Sequence, residues 1–205
     1  MIKIVKVENK DQEREFVMFP FSLYKGCDYW VPPIISEELE SMDKEKNPVF
    51  ENAEAEFYIA KKQGVTVGRI AAMVNWVEIE EQKKNKLRFG WYDTIDDLDV
   101  SKKLLESVIE FGKKRKLEFV DGPVGFSNMD KAGLLIEGYE ELNTMITWYH
   151  YPYQKEHLKK LGFSKLAEWV EYKIKIFSAE DAPEKVKKFS KIIQKRYELK
   201  VLNFK

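Results

Sequence analysis

Cysteine is almost absent: Cys27 alone stands in 205 residues. No intramolecular disulfide can form, and a reducing compartment suits such a chain, so the sequence predicts a cytoplasmic protein. An excess of charge of one sign is missing too, because 35 Lys and Arg balance 35 Asp and Glu. That balance argues against a general nucleic-acid binder or a strongly charged membrane-surface protein. No apolar run approaches the roughly 20 residues that cross a bilayer, and the opening MIKIVKVENK has no apolar core of the kind found in signal peptides. No internal repeat or low-complexity tract is visible.

Charged residues make up 34% and aromatics 14%, which suits a globular chain with a real core rather than a disordered one. The length fits one substantial domain, or a domain with an appendage. The most informative stretch runs from Leu87 to Lys116 and reads as strand, acidic loop and amphipathic helix. Leu87, Phe89 and Trp91 alternate with Arg88, Gly90 and Tyr92 at strand period. Leu104, Leu105, Val108, Ile109 and Phe111 fall on one helical face, and Lys113, Lys114, Arg115 and Lys116 complement the dipole at its end. A strand running into a helix N-terminus commonly holds an anion, because free N–H groups point there. Here the loop carries Asp93, Asp96, Asp97 and Asp99 instead.

Before this stretch, Ile2–Val7 reads as a strand, and a helix begins at Asn9 or Asp11. Pro20 is expected to kink or restart that helix, and Lys25-Gly26 to end it. A second helix follows over Ile34–Met42. Ala55–Lys62 and Val65–Trp76 flank Gln63-Gly64 as a two-residue hairpin. Glu78–Lys86 reads as an exposed loop or helical turn. After it, Glu118 opens a short strand that Gly122-Pro123 stops, and Val124–Asn143 reads as a long, partly irregular connection. Met145–Tyr149 reads as a strand, Tyr153–Leu161 as a helix, Lys165–Ile176 as a long alternating strand and Glu184–Tyr197 as a basic amphipathic helix. Leu199–Phe204 reads as the start of one more strand. The sum is a mixed α/β (α+β) domain with a central, mostly antiparallel sheet of about seven strands flanked by helices. A parallel pair is expected where Leu87–Val120 makes a strand–helix–strand unit.

Several groups carry chemistry. The four aspartates suit a hard cation or, as the plainer reading, a helix-capping loop; no metal is expected. His150 is either an acid–base group or a strand-end histidine bonded to its neighbours. Trp91, Tyr92, Trp148, Tyr149, Tyr151 and Tyr153 suit an aromatic-lined cleft or an ordinary core. Asn128, Asp130 and Lys131 lie on the irregular connection, in reach of a ligand or engaged in a turn. Cys27 reads as a plain, at least half-buried thiol. The basic helix suits an acidic partner or a solvated face packed on a second domain.

The order of elements, together with WVPP at Trp30–Pro33, NPVFENAEA at Asn47–Ala55 and VGRIAA at Val67–Ala72, resembles the GNAT superfamily of acetyltransferases. DGP at Asp121–Pro123, GLLIEG at Gly133–Gly138, YHYPY at Tyr149–Tyr153 and LGFSK at Leu161–Lys165 extend the match to an uncharacterised bacterial GNAT-like subfamily. The resemblance covers Ile2 to about Ile176. It implies residues 1–177 as one acyltransferase-fold domain, with 178–205 as a linker helix and the start of a second domain in a tandem protein, or self-association. It also implies acetyl-CoA or another acyl-CoA as donor and direct transfer of the acyl group to an amine of a small-molecule acceptor. Gly90, Trp91, Tyr92 and Ser101 are then the donor-binding residues. Tyr149, His150 and Tyr153 handle the acceptor and its protons, and Trp30, Asn128 and Asp130 touch the substrate. Two positions depart from the superfamily pattern. The turn expected to cradle the coenzyme A pyrophosphate, Tyr92–Ser101, has no glycine and four carboxylates, and Leu158 stands where a general-acid tyrosine is expected. A non-catalytic binding or interdomain module is the alternative reading.

Overall fold

The structure, a computed structural model, describes residues 1–127, 129–175, 178 and 180–200. Its contacts divide the chain into two units, Met1–Glu168 and Trp169–Lys205. The first holds one sheet. Strand β1 (Ile2–Lys6) pairs antiparallel with β2 (Ala53–Lys62), β2 with β3 (Val65–Asn75) and β3 with β4 (Lys86–Thr94), while β5 (Phe119–Asp121) lies parallel to β4. Helix α1 (Lys10–Leu23) and α2 (Ile35–Met42) connect β1 to β2, a 3-10 turn at Pro48–Glu51 leading into β2. Helix α3 (Trp76–Glu80) precedes β4, α4 (Leu98–Lys114) joins β4 to β5, and α5 (Pro152–Lys160) follows the long connection.

Period-2 alternation builds a core on each face of the sheet. Tyr58, Ala60, Ile70, Ala72 and Val74 face α4 with its Val100, Leu104, Leu105, Val108 and Phe111. Ala55, Phe57, Ile59, Ala71 and Met73 face α1 through Phe16 and Val17. Each fully buried Val, Leu, Ile, Phe or Met among them contributes about 1.5–3 kcal/mol. The β2–β3 turn takes positive φ at both Gln63 and Gly64 (53° and 82°), the type I′ geometry that two-residue hairpins prefer.

Some expectations change. Among the described residues the sheet has five strands, not about seven. Met145–Tyr149 is not a strand: Thr147 N–H folds back to Thr144 O at 3.3 Å and Asn143 holds Trp148 O at 2.8 Å, so the local bonds make a turn. Residues 165–175 are outside any helix or strand; the sequence alternates, but no described strand pairs with it. Ile176 and 201–204 of the last predicted strand lie outside the described residues. Of the two readings of Glu78–Lys86, a helical turn fits its start: Glu78 lies in α3, buried rather than exposed, and takes Arg88 in a two-pronged ion pair, Nε to Oε2 at 2.7 Å and Nη2 to Oε1 at 2.5 Å.

Pro20 does not restart α1, which runs on from Lys10 to Leu23. A proline in a helix leaves the carbonyl four residues earlier without its N–H partner, and here that carbonyl is Phe16 O. Arg69 Nη1 from β3 takes it at 3.2 Å. The second unit contains α6 (Glu184–Arg196), close to the predicted helix.

Candidate functional site

The site is organised by one extra residue in β4. The pairing runs Gly90 opposite Ala71 and Asp93 opposite Arg69, so β4 holds one residue more than β3 over this interval. Trp91 takes φ +48° there, a conformation that costs a non-glycine residue energy and marks a bulge. The inserted residue reverses the alternation. Leu87 and Phe89 belong to the core under α4, and Trp91 would join them in a regular strand. Instead Trp91 lies with the α1 face, and Tyr92 takes the α4 face. The simple alternation read from the sequence is corrected accordingly.

Thrown to this side, Trp91 lines a groove of about 230 Å³ with Glu37, Glu38, Phe126, Asp130 and Trp148. Its Nε1–H donates to Glu38 Oε2 at 2.7 Å, which ties α2 to the bulge. Trp148 tilts against it with ring centres 6.2 Å apart. Asp130 Oδ2 accepts from Ser127 N–H at 2.8 Å, so the carboxylate is held in a turn at the groove wall. Gly90 contributes backbone only: a β-carbon there would sit 2.6 Å from Val124 O and 3.2 Å from the Trp148 ring.

The other flank of β4 is closed. β5 pairs with β4 only from Lys86 to Arg88 and then departs, a splay that would leave later carbonyls open. Side chains of α5 occupy them. Gln154 Nε2 donates to Tyr92 O at 3.0 Å, and Tyr153 OH donates to Thr94 O at 2.6 Å. The Gln154 carbonyl caps its own helix at Tyr151 N–H, 2.8 Å away. Beneath them Asp93 is buried between Arg69 Nε at 2.7 Å and the Tyr24 hydroxyl at 2.6 Å. Trp30 stacks on Tyr24 with ring centres 5.3 Å apart, and Tyr149 meets Tyr24 edge-on.

These surroundings set the proton chemistry. Burial pushes His150 down to about 4, against the pull of Asp93 and the carbonyls of Trp148 and Tyr92, so its imidazole is neutral at pH 7. Leu135 N–H points at its Nδ1 from 3.4 Å. Burial also raises Tyr149 and Tyr153, the latter helped by Asp93, so both phenols keep their protons. Tyr153 spends its proton on Thr94 O.

The acidic loop answers its own helix. Asp97 is the N-cap of α4, its Oδ1 accepting Asp99 N–H at 3.0 Å while Lys62 pairs with Oδ2 at 3.0 Å. Asp96 Oδ1 meets His157 Nε2 at 3.2 Å, and His157 Nδ1 meets Ser101 Oγ at 2.9 Å. Ser101 is fully buried and also accepts from Tyr92 OH at 2.8 Å. No group of three or more metal-ligating side chains occurs among the described residues.

Of the predicted site residues, the structure therefore gathers Trp91 and Asp130 in the groove. Tyr149, Tyr153 and Trp30 lie around Tyr24, with His150 behind Trp148. Tyr92 and Ser101 pair beneath α4, away from the groove. Asn128 lies outside the described residues. Tyr24, Arg69 and Gln154 went unnoticed in the sequence; Asp93 reads there only as part of a solvated acidic loop and His157 as a surface residue of the short helix, and both are buried. Only Pro20, which frees the carbonyl that Arg69 takes, carried a signal for any of them.

Comparison with known proteins places this geometry. No family model matches the chain. It is 31% identical over 167 residues to protein YghO of Escherichia coli K12, covering 80% of this chain and 43% of YghO. It is 22% identical over 174 residues to a bacterial ceramide synthase of Caulobacter vibrioides, covering 84% of this chain and 45% of the synthase. The chain thus spans less than half the length of these curated relatives. Among solved structures, a "predicted acetyltransferase" of Clostridium acetobutylicum with acetyl-CoA aligns at TM-score 0.50 and 14% identity, covering 84% of this chain and 96% of that one. An aminoglycoside acetyltransferase from an uncultured soil metagenomic sample, in complex with sisomicin, aligns at TM-score 0.51 and 10% identity, covering 86% and 97%. With its bulged β4, parallel β5 and helices on both faces of the sheet, the chain has the fold of the GNAT acetyltransferases.

Proposed function

We propose that this chain is part of an acyl-CoA-dependent N-acyltransferase with an atypical donor loop. Residues 1–177 form its GNAT-like domain and 178–205 lead toward a second one. The observation that carries this reading is the bulge at Trp91. An inserted residue presents β4 backbone beside the point where β5 departs, and turns an indole into a groove walled by carboxylates. Backbone groups at a bulge suit a thioester carbonyl, and indoles with carboxylates suit a cationic amine. The C. vibrioides relative adds support, since a ceramide is an N-acylated amino alcohol and its synthesis joins an acyl group to an amine.

In such a transfer the neutral amine attacks the thioester carbonyl, the C–N bond forms, the C–S bond breaks and the thiolate takes a proton. Tyr149, His150 and Tyr153 are assigned to the acceptor and its protons, a role for which the buried His150 would have to gain access to the groove and Tyr153 would have to release Thr94 O. Gly90, Trp91 and Tyr92 lie on the donor side with Ser101 behind them; Trp30, Asn128 and Asp130 are assigned to the acceptor. A specific observation favours the alternative, a module that binds no acyl-CoA itself: Gln154 and Tyr153 already hold the carbonyls of Tyr92 and Thr94.

Calorimetric titration with acetyl-CoA and with a long-chain acyl-CoA, followed by thiol release in the presence of primary amines, separates the two. The acyltransferase reading expects binding and amine-dependent thiol release. Absence of binding at millimolar acyl-CoA overturns it for this chain and leaves the non-catalytic module.

A further inference from the structure

The groove beside Trp91 has most of its polar groups already engaged. Ser41 Oγ donates to Glu38 O at 2.7 Å, and Asn47 Nδ2 donates to Ser41 O at 2.9 Å while its Oδ1 takes Val49 N–H. Asp130 Oδ2 is taken twice by Ser127, through its N–H and its hydroxyl. Two half-buried charges of opposite sign are left over, each on a different wall. Helix α2 presents Glu38, whose Oε2 is fixed by Trp91 Nε1–H and whose Oε1 has no partner among the described residues. The connection after β5 presents Lys131, which enters no ion pair or side-chain hydrogen bond among them. The two do not pair with each other, so their charged atoms stand more than 4.0 Å apart. Exposed Glu37 adds negative charge on the α2 side.

We infer that the groove takes a small zwitterion: an amine that also carries an anionic group, a carboxylate or a phosphate. The ammonium goes to Glu38, against the rings of Trp91 and Trp148, and the anionic group goes to Lys131. A plain amine would satisfy Glu38 and leave Lys131 without a partner while taking water from it, which costs free energy. The groove, about 230 Å³, is smaller than the roughly 300–1,000 Å³ of sites for drug-sized molecules, which keeps the ligand small. This inference rests on the groove being the acceptor site and goes beyond a simple amine or amino alcohol.

Ligand-observed NMR titration of the chain tests it without acyl-CoA, so donor binding does not enter the result. Two pairs of probes are compared, γ-aminobutyrate with butylamine and phosphoethanolamine with ethanolamine. The expected result is that at least one zwitterion binds about 10-fold tighter than its counterpart, the yield of one partly hydrated charge-assisted hydrogen bond. The pair that shows the gain names the anion. Lys131→Gln should abolish the gain and leave butylamine and ethanolamine unchanged, and Lys131→Glu should favour putrescine over γ-aminobutyrate. Glu38→Gln keeps an acceptor for Trp91 Nε1–H and should weaken all four probes. Equal affinities within both pairs overturn the inference, as does a gain that survives Lys131→Gln, or no binding by any probe at tens of millimolar. Amine-dependent thiol release with ethanolamine but with neither zwitterion also overturns it, while leaving acyl transfer standing.

Discussion

Gln154, in the first turn of α5, gives its side-chain N–H to Tyr92 O in the middle of β4 at 3.0 Å and accepts Tyr151 N–H with its carbonyl at 2.8 Å. One buried amide thus caps its own helix and closes the edge of a strand 62 residues earlier. Gln154→Leu keeps the volume, strands Tyr151 N–H and removes one donor from Tyr92 O. Each buried polar group left unpaired costs about 1–3 kcal/mol. Urea unfolding should show a loss of about 2–4 kcal/mol with unchanged slope, and Gln154→Glu should lose a comparable amount, since its carboxylate would face Tyr92 O.

Asp93 answers the two buried groups beside it, Arg69 and Tyr24. Breaking a buried pair by removing one partner costs about 3–5 kcal/mol, because the other charge remains uncompensated. Asp93→Ala should therefore unfold at markedly lower urea than Tyr24→Phe, which removes one hydroxyl and leaves the ion pair whole. Equal losses for the two variants would show that the guanidinium is solvated after all.

His150 gives a pH signature with a defined sign. Its folded pKa, about 4, lies below the ordinary 6.5, so between those values the unfolded chain binds a proton that the native protein refuses. Its contribution is complete above pH 6.5 and falls as pH drops toward 4, by about 3 kcal/mol in all. Stability measured from pH 7 to pH 5 should decline for the parent chain and stay flatter for His150→Gln. The pH 7 to 5 range keeps most carboxylate titration out of the comparison.

Gly90 is held by contact, not by a left-handed backbone. A methyl group there meets Val124 O at 2.6 Å, Met73 at 3.1 Å and Trp148 at 3.2 Å. The methionine can shift and the carbonyl cannot. Gly90→Ala should cost about 1–3 kcal/mol, the range for overpacking, and should shift the tryptophan emission that Trp148 and Trp91 contribute. An unchanged spectrum with unchanged stability would mean the connection over β4 is looser than its contacts indicate.

Much of the scaffold was legible because local patterns agreed with tertiary demand. The Gln63-Gly64 hairpin, the amphipathic α4 and the parallel β4–β5 pair all follow from periodicity and turn chemistry. The acidic loop before α4 was legible in part: Asp97 caps as its side chain dictates. The bulge was not, because Leu87-Arg-Phe-Gly-Trp-Tyr alternates perfectly in sequence and only the mismatch with β3 reveals the inserted residue. Gln154 was illegible for a different reason. A glutamine in a first helical turn is ordinary, and its role depends on a carbonyl brought from far away in the chain. Met145–Tyr149 shows the converse failure, where strand-forming residues yield to nearby side-chain bonds.

The closed edge of β4 has a thermodynamic corollary. Helix α5 and any molecule that uses the carbonyls of Tyr92 and Thr94 are competitors for the same acceptors, so they bind by mutual exclusion. A ligand's measured affinity there is its intrinsic affinity multiplied by the fraction of molecules in which α5 has let go. If release costs about 3 kcal/mol, that fraction is under 1%, and a nanomolar intrinsic affinity reads as a dissociation constant of about 0.1–0.2 μM. Loosening Gln154 would then strengthen binding while weakening the fold.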